Sequence, residues 1–409
     1  MVALAPAGID QITPHKYVRE VRYKQQDHRT YKQIKRNTSM TTPTPPNINR
    51  NRIFNQIRRT GSISKPELMR TLGLSMPTIV KNIAELQHEG LIKEDGKLKN
   101  SNVGRNATAY TIKPFSKASI GIDLTKKSWS MVLLNLNGDV ANTLTRTIPF
   151  SNSKSYIESL MSDIRDLRES NHISQQQILG MGISVPALIN ADNNRPSYSK
   201  IMDFNTFTMD DIEAQVPYNC RLYNDADAAC YAEVHNTSVS DNLFYVCLSN
   251  NVGGASFVAG QRYEGTNNRA CEVGHIAVEW KGKHCYCGQY GCLDCYCSTS
   301  ALTETGGDLD TFFTQLDNGD ANTIKTWEAY VRHLSRALKN ITLLYDCPIV
   351  LGGYVGAKLE PYADQIEKAL RIIDPYELPE GSIRACTVRN NASALGAALP
   401  FLEEYWSRV

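Results

Sequence analysis

The sequence predicts an α/β protein in which an N-terminal winged helix-turn-helix domain precedes a body of two α/β lobes. Apolar residues recur at helical spacing through residues 48–88. From Ser119 onward, apolar strand-like runs and helical stretches alternate twice over, which is typical of two α/β lobes. We therefore expect four regions: a flexible basic arm at 1–47, a winged helix-turn-helix domain at 48–113, a first lobe at 114–241 together with 391–409, and a second lobe at 242–390.

Charge is distributed unevenly along the chain. Residues 1–113 contain 20 lysines and arginines against 8 acidic residues, whereas the whole chain of 409 residues contains 44 against 42. A basic first quarter joined to an acidic body indicates nucleic acid as a partner of the first part only. No apolar run approaches the roughly eighteen residues of a membrane span, and no secretory signal follows Met1. We therefore expect a cytoplasmic protein without a membrane partner, whose eleven cysteines serve metal ligation rather than disulfides.

The first 47 residues show no sustained hydrophobic period and end in a Pro-rich segment at 41–46. The basic residues before that segment are Lys16, Arg19, Arg22, Lys24, Arg29, Lys32, Lys35 and Arg36. This composition predicts a flexible arm. Two interpretations are open: an arm that helps to hold DNA phosphates, and an early start codon with Met40 as the true first residue.

Three helices are predicted within residues 48–88. Ser64 and Glu67 form a capping box around a Pro in the first turn, which marks the start of the second helix. A short turn at Gly73 precedes a third helix that Ser75 caps, and this pair is a helix-turn-helix. We expect the third helix to bury Ile79, Val80, Ile83 and Leu86 and to present Thr78, Lys81, Asn82 and Glu85 outward.

A wing follows the third helix. Residues 91–94 and 109–112 are strand-like, and Arg105 lies near the tip between them, where arginine is the usual probe of the minor groove. In a helix-turn-helix the N-terminal residues of the second helix reach base edges. The candidate DNA-binding residues are therefore Ser75, Thr78, Lys81, Asn82 and Arg105. The alternative is a winged helix that binds protein, but the excess of basic residues favours DNA.

A cysteine cluster, C-x-C-G-x-x-G-C, occupies residues 285–292. Its two glycines permit the tight turns that bring three thiolates together, and His275 supplies a fourth ligand. Such a Cys₃His set is expected for structural zinc. The alternatives are a chance cluster of buried or disulfide-bonded cysteines, and replacement of one ligand by a nearby residue. The nearby residues are His284, Cys295 and Cys297.

Acidic residues flank this cluster. Glu272 precedes His275 by three positions, and Asp294 follows the last cysteine. Carboxylates fixed by a metal suit a polyhydroxylated ligand, since each oxygen accepts hydrogen bonds, although both residues could equally be solvated loop charges. Asp225 ends a predicted strand, and ligands bind at the carboxyl edge of open α/β sheets. Its alternative role is that of a helix cap.

Together these motifs resemble the ROK family of bacterial sugar kinases and transcriptional repressors, which has an actin/hexokinase-like (ribonuclease H-like) fold. The resemblance covers nearly all of 48–409 and is strongest at 224–229, 272–275 and 285–294. The winged helix is similar to the repressor branch, whose members respond to xylose, N-acetylglucosamine or glucose. The resemblance implies a sugar pocket lined by Asn224, Asp225, Glu272, His275 and Asp294. It implies zinc on His275, Cys285, Cys287 and Cys292, with His275 serving both sites.

The sequence departs from the kinase members at both phosphate loops. Kinases carry Asp-x-Gly-Gly-Thr where this chain has Asp123 followed by Leu-Thr-Lys-Lys, and residues 249–255 lack the first glycines of the second loop. Without these glycines the backbone approaches phosphates less closely. Asp225 stands at the position of the kinase general base, and we expect it to be non-catalytic. Asp294 replaces the usual Glu, and Ala187 replaces a Gly.

These departures predict a protein that is not an enzyme. We expect a repressor of sugar-utilisation genes that binds operator DNA as a homodimer or tetramer. A sugar or sugar-phosphate effector would bind between the lobes, near a structural zinc ion. The first alternative is an ATP-dependent sugar kinase with a DNA-binding head, and the second is a repressor controlled by a protein partner.

Overall fold

The computed structural model describes residues 47–97, 107–190, 193–204, 209–237, 242–304 and 306–409, which belong to one compact unit. The predicted arm lies outside these residues apart from Asn47. Across the described ranges, no helix is both long enough and apolar enough to cross a membrane.

The N-terminal part consists of three helices and a small antiparallel sheet. Ser64 and Glu67 form the predicted capping box at the start of the second helix. Gly73 takes a left-handed φ of 64°, which ends this helix and turns the chain toward the third. The elements are α1 (Ile48–Thr60), β1 (Ile63–Ser64), α2 (Lys65–Leu72), α3 (Met76–His88), β2 (Ile92–Lys97) and β3 (Thr108–Ile112), and the strand order is β1-β3-β2.

The first lobe contains a five-stranded sheet. Its elements are β4 (Ala118–Leu124), β5 (Trp129–Asn135), β6 (Val140–Arg146), α4 (Lys154–Glu169), β7 (Ile178–Val185), β8 (Leu188–Asn190), β9 (Arg195–Tyr198), α5 (Met209–Glu213), β10 (Cys220–Asn224) and α6 (Asp225–Asn236). The strand order is β10-β7-β4-β5-β6, and β4, β7 and β10 run parallel. Their carboxyl ends therefore meet at one edge, which brings Asp123, Pro186 and Asp225 together.

The second lobe contains another five-stranded sheet, with the order β13-β12-β11-β14-β15. Its elements are β11 (Leu243–Leu248), β12 (Val252–Val258), β13 (Gln261–Arg262), α7 (Asp294–Cys297), α8 (Thr299–Thr303), α9 (Leu309–Asp317), α10 (Ala321–Tyr345), β14 (Ile349–Gly352), α11 (Gly353–Gly356), α12 (Ala363–Ile373) and β15 (Ile383–Ala385). The long helix α10 packs against α12 and buries Trp327, Leu334 and Leu338 in the core of this lobe.

The last helix, α13 (Ala392–Trp406), returns to the first-lobe sheet and packs on β4, β7 and α6. The approach is so close that only glycine fits at the contacts. A Cβ atom at Gly121 would lie 1.8 Å from the Ala394 carbonyl oxygen, and one at Gly396 would lie 1.7 Å from the Ala228 carbonyl oxygen. The apolar core of the N-terminal helices is continuous with that around α13, since Phe54 and other α1 residues share one buried cluster with it.

Candidate zinc centre and interlobe cavity

The four predicted zinc ligands converge on one point. Their ligand atoms all lie within 4.8 Å of one another. Cys285 Sγ lies 3.7 Å from His275 Nδ1, and Cys287 Sγ lies 3.7 Å from Cys292 Sγ. A tetrahedral ion with Zn–S bonds of about 2.3 Å holds its sulfurs about 3.8 Å apart. The donor set and its spacing therefore fit a structural zinc ion in a closed coordination shell.

Backbone conformation explains why the loop closes here. Gly288 and Gly291 have φ values of 96° and 77°, a region that side chains other than glycine rarely occupy. A Cβ atom at Gly291 would also lie 1.8 Å from the Glu279 carbonyl oxygen. The Cys285 amide donates to the Gln289 carbonyl at 2.8 Å, which closes the turn between the first and third thiols.

The neighbouring candidates do not join the cluster. Cys297 is buried with its Sγ 3.8 Å from the Tyr330 carbonyl, and Cys295 directs its Sγ to the His284 carbonyl at 3.8 Å. All eleven cysteines lie in the described ranges as free thiols, so the disulfide alternative does not apply in this structure.

A cavity of about 470 Å³ lies beside the cluster, between the two lobes. Asn224 and Asp225 line it from the first lobe, and Glu272 and His275 line it from the second. A further cavity of about 440 Å³ adjoins it, since Pro186, Ile201, Asp225 and Asn251 line both. Four of the five sugar-pocket residues implied by the family resemblance thus face one space, with His275 shared between this space and the thiol cluster.

Asp294, the fifth of these residues, lies behind the cavity wall. Its side chain is only 6% exposed, and it is not among the residues that line the cavity. Its Oδ1 accepts a hydrogen bond of 2.5 Å from the amide of Val252, which does line the cavity. Burial raises the pKa of Asp294 to about 6, above the ordinary value for an aspartate. The geometry therefore gives Asp294 a supporting contact to the cavity wall.

Asn224 and Asp225 are fixed by the start of α6. The Asn224 side-chain oxygen accepts from the amides of Ala226 and Asp227 at 2.9 and 3.1 Å, and its nitrogen donates to the Ala187 carbonyl at 3.2 Å. Asp225 also accepts from the Ala226 amide at 2.9 Å. Asn224 is therefore the helix cap, and Asp225 begins the helix beside it.

The carboxyl groups around the cavity hold protons more tightly than usual. Burial, with the nearby Asp123 as a second cause, raises the pKa of Asp225 to about 7. Burial raises the pKa of Asp123 to about 6, against the opposing effect of a 2.7 Å hydrogen bond donated by Ser184. Burial also raises the pKa of Glu272. Burial is the largest cause of all three shifts, because desolvation disfavours the ionised form of a carboxyl group.

In the turn after β4, the backbone amides form hydrogen bonds within the turn itself. Thr125 Oγ1 accepts hydrogen bonds from the amides of Lys127 and Ser128 at 3.3 and 3.1 Å, and the Thr125 amide donates to the Ser128 carbonyl at 2.9 Å. In the kinase pattern this position is a glycine-rich phosphate loop. Here the amides that could face a phosphate are occupied by a neighbouring side chain.

The predicted DNA-facing surface of α3 needs two corrections. Asn82 is buried, at 3% exposure, because its amide nitrogen donates to the Thr78 carbonyl at 2.8 Å and its oxygen accepts from Asn47 at 3.0 Å. Val80, expected in the core, is 44% exposed. Ser75 and Lys81 are exposed and Thr78 is half-buried, whereas Arg105 lies outside the described residues.

Cavity residues that sequence reasoning missed come from scattered loops. Lys200, Arg269 and Tyr286 line the cavity, yet no motif marks the first two. Tyr286 lies inside the cysteine motif, between two zinc ligands, and this position is the one signal that could have identified it.

Two α/β lobes with a cavity and a Cys₃His cluster between them, preceded by a winged helix-turn-helix, define the class of protein to which the chain belongs. Residues 119–404 match the ROK family, and the chain belongs to that family. It is 27% identical over 267 residues to a xylose repressor of Bacillus subtilis, a match covering 63% of this chain and 67% of the repressor.

A kinase and a solved regulator are also similar. An N-acetylmannosamine kinase of Escherichia coli is 30% identical over 191 residues, which cover 43% of this chain and 62% of the kinase. A crystal structure described as a ROK family transcriptional regulator, homologous to the E. coli MLC protein, superposes with a TM-score of 0.64 at 20% identity. That superposition covers 88% of this chain and 96% of the regulator, and it establishes the fold.

Proposed function

We propose that this protein is a transcriptional repressor of sugar-utilisation genes that binds operator DNA through its winged helix-turn-helix. Binding of a sugar ligand in the interlobe cavity would change its affinity for the operator. One observation carries the proposal: the helix that begins in the cavity, α6, and the first helix of the DNA-binding head, α1, both contact the last helix of the chain, α13. The similarity to a xylose repressor supports the same function.

The connection runs through α6 and α13. Asp225 lines the cavity at the first position of α6. Near the other end of that helix, His235 Nδ1 lies 2.8 Å from Glu403 Oε1 of α13. The carbonyl of Trp406, at the end of α13, accepts a 2.9 Å hydrogen bond from Asn55 of α1. A ligand that favours one arrangement of the lobes would therefore bias the position of the head, which is what coupling between two sites requires.

Zinc would hold the cavity wall in shape. Cys287 lines the cavity, and Tyr286 beside it does the same, so the metal-binding loop forms one side of the ligand site. His275, Cys285, Cys287 and Cys292 would hold the ion. A closed Cys₃His shell supplies folding energy and leaves no open position for catalysis.

Loss of the phosphate loops argues against the kinase alternative. In the first loop, the Thr125 side chain accepts hydrogen bonds from the amides of Lys127 and Ser128, so these amides are not free to bind a phosphate. In the second loop, Ser249, Asn250 and Asn251 stand before the first glycine. Asp225 could accept a proton, but a base without bound ATP gives no phosphoryl transfer. A coupled assay with ATP and a panel of hexoses tests this argument, because turnover above background would establish a kinase.

DNA binding is tested with a matched pair of lysine variants. Selection of genomic DNA fragments by the purified protein, followed by fluorescence anisotropy, would identify an operator. Lys81→Ala removes an exposed lysine of α3 that lies 4.0 Å from Glu85, and Lys154→Ala removes an exposed lysine of α4 that lies 3.7 Å from Glu158. We expect only Lys81→Ala to weaken binding and to lower its salt dependence. Equal effects of the two variants would contradict the proposed DNA-binding face.

A sugar panel separates ligand control from control by a protein partner. A true ligand raises the melting temperature by mass action because it binds the folded state. Sugars that raise the melting temperature and also change operator affinity would support the proposal. A DNA-binding protein that responds to no sugar would favour the protein-partner alternative.

A further inference from the structure

The chain passes from the second lobe to the first through a crossover segment, residues 386–391, which joins β15 to α13. The Cys386 amide still donates to a carbonyl of β14 at 2.9 Å, so the backbone is attached to the second-lobe sheet at this point. The next two amides, those of Thr387 and Val388, donate instead to the side chain of Glu233 in α6, at 2.9 and 3.0 Å. One carboxylate of the first lobe therefore binds the backbone where the second-lobe strand ends.

The Glu233 side chain is completely buried, at 0% exposure, and it accepts further hydrogen bonds from the second lobe. Its Oε2 accepts from the Thr387 hydroxyl at 3.0 Å, and its Oε1 accepts from the guanidinium of Arg384, in β15, at 2.9 Å. Asn236, at the end of α6, also donates to the Thr387 hydroxyl oxygen at 3.0 Å. A buried carboxylate is tolerated only when it is paired and hydrogen-bonded, and here every one of these donors to Glu233 comes from β15 or the crossover segment.

The helix that carries Glu233 is in contact with α13 along the first lobe. A Cβ atom at Gly396 of α13 would lie 1.7 Å from the Ala228 carbonyl oxygen of α6, so the two helices meet backbone to backbone. The end of α13 bonds to the N-terminal domain, because the Trp406 carbonyl accepts from Asn55 of α1. Since α6 also begins at the interlobe cavity, one helix is joined to the cavity, the crossover segment and α13.

We propose that Glu233 transmits the arrangement of the two lobes to the N-terminal domain by holding the crossover segment on α6. When the second lobe moves, β15 and the crossover segment move with it, and their bonds to Glu233 displace α6 and α13 with them. As the route of a ligand response, this inference rests on the proposed function, because a ligand acts through its differential affinity for two arrangements. Glu233 is thus a positioning residue, since its contacts are to the crossover segment and β15.

Glu367 offers a matched comparison inside the second lobe. It is buried, at 9% exposure, and lies on α12. Its carboxylate accepts from Arg371 at 2.6 Å and from the amide of Ile383, the first residue of β15, at 3.2 Å. Both glutamates therefore combine an arginine with a backbone amide at or beside β15. Glu→Gln removes a buried carboxylate in either case, but only at Glu233 does it weaken a contact between the lobes.

The first experiment follows hydrogen–deuterium exchange by mass spectrometry on the zinc-loaded full chain without any ligand. Local opening of a segment speeds the exchange of its amides. For Glu233→Gln we expect severalfold faster exchange in the crossover segment and also in α13 and α1. Glu367→Gln should accelerate exchange in α12 and β15 alone. Thr387→Val, which removes one hydroxyl at an exposed residue, is a milder variant that should fold and show the Glu233→Gln pattern to a smaller extent.

The second experiment measures operator affinity with and without a sugar. The probes are xylose, glucose and N-acetylglucosamine together with their phosphate esters. For Glu233→Gln we expect the sugar affinity measured without DNA to stay close to that of the unmodified protein, because Glu233 lies about two helical turns beyond the cavity end of α6. The ratio of operator affinities with and without sugar should shrink severalfold. Glu367→Gln should retain both quantities.

Two results would overturn the inference. Unchanged exchange in α13 and α1 of Glu233→Gln would show that its contacts act only locally, whatever the sugars do. An equal loss of the operator-affinity ratio in Glu367→Gln would assign the effect to stability alone. If Glu233→Gln does not fold, Thr387→Val decides by the same two criteria. Faster exchange in α1 without any effect of a sugar on operator affinity would support the role of Glu233 and contradict the proposed sugar response.

Discussion

The guanidinium group of Arg58 lies 3.7 Å above the ring of Trp406. Arg58 is in the last turn of α1, in the N-terminal helix-turn-helix domain, whereas Trp406 is the last residue of α13, which packs on the first-lobe sheet. His235 of α6 stacks with the same ring, at 6.0 Å between centroids. The Trp406 indole therefore contacts both α1 of the N-terminal domain and α6, the helix that begins at the interlobe cavity.

Arg58→Gln should weaken the communication between cavity and head. The substitution removes the cation but keeps a long polar side chain, and a cation–π contact of this kind contributes about 0.5–2 kcal/mol. We expect the ligand-induced change in DNA affinity, measured by anisotropy, to shrink severalfold. Arg59→Gln, which removes the neighbouring exposed arginine, is the control. A full ligand response in Arg58→Gln would exclude this contact from the coupling.

Cys287→Ser should abolish stoichiometric zinc binding. It removes one of four ligands from a closed shell and also alters a residue that lines the cavity. We expect the melting temperature, the ligand affinity and the transcriptional repression to fall together. Zinc content is measured by elemental analysis. Cys295→Ser changes a thiol outside the cluster and should retain about one zinc per chain. Zinc-free Cys287→Ser protein with unchanged operator affinity would separate the metal from repression.

Gly291→Ala should be far more damaging than Gly319→Ala. The two glycines have nearly the same φ, 77° and 78°, so both substitutions place an L-residue in the left-handed region at a cost of about 1–2 kcal/mol. At Gly319 the added Cβ meets nothing within 4 Å, whereas at Gly291 it lies 1.8 Å from the Glu279 carbonyl oxygen. Denaturant unfolding should show a larger loss of stability, and zinc titration a larger loss of zinc affinity, for Gly291→Ala than for Gly319→Ala. Equal losses at the two positions would mean that the zinc loop can relax.

Asp225→Asn should stabilise the ligand-free protein increasingly as the pH rises. The pKa of Asp225 is about 7 in the folded state against an ordinary 3.8. The folded state therefore favours the protonated form, and the associated stability is present below pH 3.8 and is lost as the pH rises through 7. This shift in the pKa of Asp225 corresponds to about 4 kcal/mol. The neutral amide of Asn avoids that cost.

Melting curves at pH 5 and pH 8 check this expectation. The stability difference between Asp225→Asn and the unmodified protein should be larger at pH 8. The exposed Asp364→Asn serves as the control and should show no such trend. A difference that is independent of pH would show that the Asp225 carboxyl is solvated in the folded state.

The Cys₃His cluster could be predicted because the residues that form it are local in sequence. Three of its ligands lie within one short loop, and the glycine that the loop requires, Gly291, stands between two of them. The helices that begin after Ser64 and Ser75 could also be predicted. Each serine side chain accepts a hydrogen bond from the backbone amide three residues later, so the capping pattern is local in sequence. The division into two α/β lobes followed from alternating strand and helix patterns.

The features that could not be predicted from sequence depend on contacts between residues that are far apart in the chain. Asn82 is buried because Asn47, 35 residues earlier, donates to it, and no helical pattern encodes that partner. Asp294 binds the amide of Val252, 42 residues away, so its place behind the wall depends on how α7 meets β12. Lys200 and Arg269 line one cavity only because the two lobes face each other across it, and their sequence contexts carry no motif.

The turn at Thr125 also shows how many substitutions separate this chain from one with a glycine-rich phosphate loop. Replacing Thr125 with Gly would release the amides of Lys127 and Ser128, but Lys126 and Lys127 would still occupy the places of a Gly and a Thr, and the second loop would still lack its first glycines. No single substitution rebuilds a phosphate loop, and under the proposed function none of the intermediates would gain catalysis. A phosphate loop at this position would therefore require changes at Thr125, Lys126 and Lys127 together with changes in the second loop.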